Sequence, residues 1–110
     1  GYTESQAQKQ GYQVKSGVFP FRALGRAMTI GETEGLTKII SDAENGTVLG
    51  VHIIGPHASD LISEGGLAVE SGAHIDDLSL TIHAHPTLTE GIVEAAEAIE
   101  SKAIHIFNPK

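Results

Sequence analysis

Apolar and polar positions change their period near Gly55-Pro56: before it apolar residues alternate or run in short β-rich stretches, and after it they recur at helical spacing. Thr3-Glu4-Ser5-Gln6 carries the pattern of a capping box, in which the cap and the third helical residue bond each other's backbone N–H. Gly11 stands where a left-handed residue would close that short helix. Tyr12 to Phe19 alternates enough for a strand, with Val14, Ser16 and Val18 on one face, Lys15 on the other and Pro20 ending it. Phe21 to Ala27 suits a helical turn and Ala27 to Ile30 a short strand, after which Gly31 and Gly35 bracket an acidic turn. Leu36 to Ser41 and Thr47 to Ile54 are β-rich runs joined across residues 42–46, a hairpin whose Asn45-Gly46 pair can take positive φ.

In the second half Leu61, Ile62, Gly65, Ala68, Val69 and Gly72 share one helical stripe. Glycine inside a helix costs about 1 kcal/mol relative to alanine. Gly65-Gly66 therefore marks either a close approach by another backbone, within the domain or across a subunit interface, or a weak spot. Asp76-Asp77 opens a short helix carrying Leu78 and Ile82. Thr87 to Lys102 follows as an amphipathic helix with Leu88, Ile92, Val93, Ala96 and Ile99 on one side, and Ile104 to Phe107 reads as a terminal strand. Helix, strands, hairpin and helices in that order predict an α+β fold, an antiparallel β-sheet with helices packed against it. There are no repeats, low-complexity tracts or linkers, so residues 1–110 read as one domain.

A formal net charge of −7 without a basic stripe argues against nucleic acid as a partner. The absence of cysteine excludes a disulfide framework, a thiolate metal site and dithiol redox chemistry within these residues. No apolar run approaches the roughly 20 residues that span a bilayer, and Gly-Tyr-Thr-Glu is neither a basic leader nor an apolar signal core. The six histidines raise a metal reading: His83-x-His85 would share a face if extended, and His52 and His57 flank a strand end. Without cysteine or HExxH spacing no metal site is expected, and His52 reads as a hydrogen-bonded core or interface histidine. Glu90, Glu94, Glu97 and Glu100 form an acidic helical face, ordinarily solvated. Neither GxGxxG nor GxxxxGK[ST] occurs, so these residues hold no phosphate cradle.

The chemistry concentrates in Ile82-His83-Ala84-His85-Pro86-Thr87-Leu88-Thr89-Glu90. Pro86 pushes His85 out of the α region, and an X-Pro bond is open to the cis form. Residues five apart on a continuous helix do not face each other, so His85 and Glu90 meet only if the chain turns between them. Two readings of Glu90 stand side by side. In one it caps the Thr87 N–H at a helix start. In the other it holds one ring nitrogen of His85, which fixes the tautomer and favours the protonated ring, as an acid–base group requires.

His-Ala-His-Pro-Thr-Leu-Thr-Glu resembles the C-terminal signature of the flavin-dependent pyridine nucleotide–disulfide oxidoreductases. Gly-Tyr-Thr-Glu-Ser-Gln-Ala, Phe19-Pro20-Phe21 with Gly25-Arg26-Ala27, residues 35–39, Leu49 to Pro56 and Ala58 to Ile62 are similar to runs in the same domain of that family. The resemblance covers essentially all 110 residues and is strongest to the dihydrolipoyl dehydrogenase branch; glutathione reductases tend to carry serines after the threonine. It implies the C-terminal dimerisation domain of a longer homodimeric flavoprotein that uses FAD and NAD bound by upstream domains. In relatives a further strand precedes the Gly-Tyr-Thr-Glu stretch, so the sheet edge here is expected to be shortened or bare. The resemblance makes His85 and Glu90 the acid–base pair supplied to the partner subunit's redox-active cysteines, with His85 and Pro86 beside the flavin. It further implies an enzyme oxidising protein-bound dihydrolipoamide with NAD, associated with lipoyl-bearing 2-oxoacid dehydrogenase complexes, in the cytoplasm or alternatively the mitochondrial matrix. By itself the chain is expected to be inactive and to bind no cofactor. The competing expectations are a glutathione-reductase-like relative, a stand-alone interaction module without catalysis, and a small His-dependent metal-binding protein.

Overall fold

The computed structural model describes residues 1–31 and 34–99. Strands β1 (Val14–Pro20), β2 (Leu36–Asp42) and β3 (Val48–Ile54) form one antiparallel sheet in sequence order. β2 lies between the other two and is buried on both faces, with Thr37, Ile39 and Ser41 alternating with Ile40 and Asp42. Short polar side chains close the β2–β3 turn: Asp42 Oδ1 accepts from the Glu44 N–H at 2.8 Å and Asn45 Oδ1 from the Thr47 N–H at 2.9 Å. Of the Asn45-Gly46 pair only Gly46 takes a positive φ, +77°. A Cβ there would lie 2.2 Å from His74 Nε2, so the position requires glycine twice over. Alongside β3, the Tyr2 N–H donates to the Leu49 carbonyl at 2.9 Å.

Helix α1 (Glu4–Lys9) begins with the expected capping box: the Gln6 N–H bonds Thr3 Oγ1 at 3.2 Å and the Thr3 N–H bonds Gln6 Oε1 at 3.0 Å. Its Ala7 packs with Ile40 and Leu49 on one face of the sheet. The other face carries the larger core, in which Phe19, Phe21, Ile39, Val51, Leu61 and Ile92 are buried together. Over it lie α3 (Ala58–Ser71) against β3, α5 (Glu90–Ile99) across β1 and β2, and the short α4 (Ile75–Ser79) against α5. The fold is α+β, as the periodicity predicts. The inward residues of β1 are Gly17 and Phe19, opposite the Val14, Ser16 and Val18 face, because α5 rests directly on the strand: a Cβ on Gly17 would lie 2.1 Å from the Ala95 carbonyl oxygen.

Three elements differ from the sequence reading. Ala27 to Ile30 is not a strand but the end of helix α2 (Gly25–Ile30), which follows a 3-10 turn at Phe21–Ala23. Gly31, left-handed at φ +74°, closes that helix by donating its N–H to the carbonyls of Ala27 and Met28. Helix α4 stops at Ser79, so Ile82 is outside it and stands in solvent at 97 % exposure. Helix α5 starts at Glu90, three residues later than predicted, because Leu88-Thr89 form a tighter turn in which Gly91 N–H bonds Leu88 O and Ile92 N–H bonds Thr89 O. The extension of α5 to Lys102 and the strand at Ile104 to Phe107 fall outside the described residues.

At Gly65-Gly66 a close approach is found at Gly65 alone, and what approaches is the Val51 side chain of β3 rather than a backbone. A Cβ on Gly65 would lie 2.6 Å from Val51 Cγ1, so α3 sits on β3 through this glycine, whereas a Cβ on Gly66 meets nothing within 4 Å. Gly65→Ala should therefore lower stability by about 1–3 kcal/mol through overpacking. Gly66→Ala should raise it by up to about 1 kcal/mol through helix propensity. Equal shifts of the two denaturation midpoints would contradict this packing. Thr37 poses a separate cost: its Oγ1 is buried against Gly91 of α5 with no hydrogen-bond partner among the described residues. Thr37→Val keeps the shape and removes the orphaned hydroxyl, and is expected to stabilise by about 1 kcal/mol, read from the same denaturation curves.

Candidate active site

The connection from α4 to α5, residues 80–89, carries the site. The His85-Pro86 peptide bond is cis, and hydrogen bonds close the turn after it. Thr87 Oγ1 donates to the Ala84 carbonyl at 2.7 Å and shares a hydrogen bond with Thr89 Oγ1 at 2.9 Å. The Thr87 N–H donates to Glu90 Oε1 at 2.8 Å. The turn brings His85 back over the start of α5, where Nδ1 lies 3.0 Å from each oxygen of Glu90.

The capping and ring-holding readings of Glu90 are therefore one arrangement. A single carboxylate receives the Thr87 backbone N–H and the His85 ring together. An ionised carboxylate only accepts, so Nδ1 is the donor and Nε2, on the opposite side of the ring, is left to exchange a proton with something outside. The His85 side chain is 71 % exposed whereas that of Glu90 is largely covered. A held ring with an open far edge can work as a general acid or base toward a group brought up to it. Gly25 at the start of α2 borders the ring: a Cβ there would be 3.7 Å from Pro86 Cβ and 4.0 Å from His85 Cε1. Pro86 also lines an open cavity of about 660 Å³, together with Arg26, His57, Asp60, Thr87 and Leu88.

The other histidines go elsewhere. His83 and His85 do not share a face. His83 Nε2 meets Glu64 Oε2 of α3 at 2.6 Å, its Nδ1 meets the Thr81 carbonyl at 2.8 Å, and its side chain is 8 % exposed. Nothing local in the sequence pairs residues nineteen apart on different elements, and the Glu64–His83 contact is the feature that sequence reasoning missed. His52 Nε2 lies 2.9 Å from the Tyr2 carbonyl, and His74 caps α4 by accepting from the Asp76 N–H at 3.0 Å. Among the described residues no group of three potential ligands converges on a metal position. Glu94, expected on a solvated face, is buried; with His83, Glu90, Val93, Glu97 and Thr81 it lines a small cavity of about 180 Å³. Glu100 is outside the described residues.

If Glu90 anchors the turn, Glu90→Ala should destabilise the chain by about 1–2 kcal/mol, the cost of losing a cap and a charge-assisted bond. Denaturant titration checks this, and an unchanged midpoint would mean the turn is held by something else.

Comparison with known proteins decides the family. The model of the pyridine nucleotide-disulphide oxidoreductase dimerisation domain matches residues 1–96. The chain belongs to this dimerisation-domain family. Dihydrolipoyl dehydrogenase of Thermus scotoductus is 57 % identical over 108 residues, covering 98 % of this chain and 23 % of that protein. Dihydrolipoyl dehydrogenase of Bacillus subtilis is 50 % identical over 105 residues, covering 96 % and 22 %. That of Halobacterium salinarum is 47 % identical over 108 residues, covering 98 % and 23 %. Among solved structures, LpdA from Mycobacterium tuberculosis superposes with a TM-score of 0.81 at 28 % identity, over 88 % of this chain and 21 % of its own. The HOCl-induced flavoprotein disulfide reductase RclA from Escherichia coli gives 0.82 at 25 % identity, over 88 % and 22 %. The chain thus spans less than a quarter of the length of the curated relatives it matches. The solved structures it resembles are similar to it over their disulfide-reductase dimerisation regions.

Proposed function

We propose that this domain is the C-terminal interface domain of a homodimeric flavoprotein of the dihydrolipoyl dehydrogenase type, and that it supplies His85, held by Glu90, to the active site of the partner subunit. One observation carries the reading: the ring is fixed through Nδ1 on a covered carboxylate while its side chain stays exposed. The cysteine-free sequence supports it, because the sulfur that such a base serves has to come from outside these residues.

In this reading His85 Nε2 takes the proton from a dithiol substrate. The resulting thiolate attacks one sulfur of a redox disulfide, forming a mixed disulfide and releasing the second sulfur as a thiolate. The substrate's second thiol, losing its proton to solvent, then attacks the mixed disulfide, closing the substrate S–S bond and releasing the other redox sulfur, which takes the proton that His85 holds, while Glu90 keeps the ring oriented through both transfers. FAD and NAD, when bound in the longer protein, carry the electrons away from the reduced sulfur pair. This domain fits the edge of a flavin alone: His85 and Pro86 are both exposed, and no glycine-rich phosphate loop is present in the sequence. The dihydrolipoyl dehydrogenase relatives favour dihydrolipoamide oxidation over a glutathione-reductase-like activity. A cytoplasmic protein serving lipoyl-bearing 2-oxoacid dehydrogenase complexes belongs to the same reading, as the sequence resemblance implies. No helix among the described residues is long and apolar enough to cross a membrane.

The test is His85→Gln in the full-length flavoprotein, followed by steady-state oxidation of dihydrolipoamide. Loss of a positioned acid–base group is expected to lower turnover by about 10²–10⁴-fold. Glu90→Gln should cost less, because the amide still supports the turn while its hold on the ring weakens. Turnover of the His85 variant within a few-fold of the native enzyme would end the reading.

A further inference from the structure

The stretch that leads into His85 is short of ordinary anchors. From Leu80 to Ala84 the apolar side chains that would normally pin a loop are in solvent, Leu80 at 78 % and Ile82 at 97 % exposure. Thr81 Oγ1 bonds back to the Asp77 carbonyl at the end of α4, and at the other end of the stretch the Ala84 carbonyl accepts from Thr87 Oγ1, so neither bond reaches α3. His83 is the one side chain of the five drawn inward.

Its two contacts have a definite donor count. The Thr81 carbonyl only accepts, so His83 Nδ1 at 2.8 Å is a donor. Nε2 faces Glu64 Oε2 at 2.6 Å, and with Nδ1 already carrying a proton that contact is a hydrogen bond only when a second proton lies between ring and carboxylate. Around the pair, Glu90, Glu94 and Glu97 of α5 share the small cavity that His83 borders, and Asp77 of α4 lines the cavity on the α3 side with Glu64 and His83. Short, charge-assisted hydrogen bonds of this kind are roughly twice as strong as neutral ones.

We infer that His83 is a positioning residue for His85: the proton-bridged Glu64–His83 contact ties the chain ahead of Pro86 to α3, as Glu90 ties the chain behind it to α5. His85 is then held between two carboxylate anchors on two different helices. The catalytic consequence rests on the proposed acid–base role of His85, but the placement does not.

The experiment is nitrogen-15 NMR of the histidine rings in the 110-residue chain, with His83→Phe, Glu64→Ala and Glu64→Gln. The native chain is expected to show His85 as a single Nδ1–H tautomer. His83→Phe fills the space of the ring without either bond, and Glu64→Ala leaves the ring without its partner. In both, the His85 nitrogens should move toward the tautomer mixture of an unrestrained imidazole. In Glu64→Gln the amide can donate to His83 Nε2, which removes the bridging proton but restores the tie, so the His85 signature should return to the native one. Thermal melts of each variant identify any that fails to fold, and the remaining variant of the Phe and Ala pair carries the test. A native-like His85 in His83→Phe would show that packing alone places the loop and would overturn the inference. A His85 disordered in Glu64→Gln as much as in Glu64→Ala would overturn it equally. None of these measurements reads turnover, so a failure of the acid–base reading would leave their outcome unchanged.

Discussion

The geometry of this domain depends on one carboxylate accepting from two donors that a continuous helix would keep apart. Glu90 stands in the first turn of α5, takes the Thr87 N–H, and takes the His85 ring from the other side of the Pro86 turn. A backbone amide near a helix start needs a partner, and an imidazole near a surface needs a fixed tautomer if it is to do chemistry. Meeting both needs with one group couples the position of the ring to the position of the helix. The helix in turn is set by the sheet, since Ala95 lies on Gly17 of β1, where a larger residue would force them apart, and Gly91 packs closely on Thr37 of β2. Strand packing therefore reaches His85 through only two intermediates, α5 and Glu90.

Features legible in the sequence were those whose partners lie within a few residues. Thr3 and Gln6 form their box, Gly46 takes its positive φ, and the His85–Glu90 spacing with proline between brings two side chains together, because each is decided by local geometry. Features decided by packing were not legible. Gly65 and Gly66 are neighbours of one residue type, and only the seating of α3 on Val51 makes one indispensable and the other a loss of helix propensity. Ala27 to Ile30 has too few residues for its period to speak, and the left-handed Gly31 that closes it as a helix reads equally well as part of a turn. Glu64 and His83 are joined only because α3 and the α4–α5 connection are laid side by side, which no short-range pattern specifies.

Membership of the dimerisation-domain family gives the incompleteness of the site a physical sense. In the proposed reading, an exposed, oriented imidazole with no cysteine, no phosphate loop and no converging metal ligands among the described residues is half of a reaction centre. In the proposed reading the other half is presented by a second copy of the longer protein, so association and catalysis are the same event. The domain's chemical task is then to deliver one ring at one angle, and the hydrogen bonds along residues 81–90 hold the backbone that carries it.

That delivery across the dimer is the central claim, and complementation tests it most directly. Two full-length subunits would be co-expressed and the mixed dimer purified, one carrying His85→Gln with its redox cysteines intact and the other carrying His85 with those cysteines replaced. If the ring serves the partner, each mixed dimer contains one complete site, and dihydrolipoamide oxidation returns although both parental homodimers are inactive. A mixed dimer as inactive as its parents would mean that His85 acts within its own subunit or not at all, and would contradict the account.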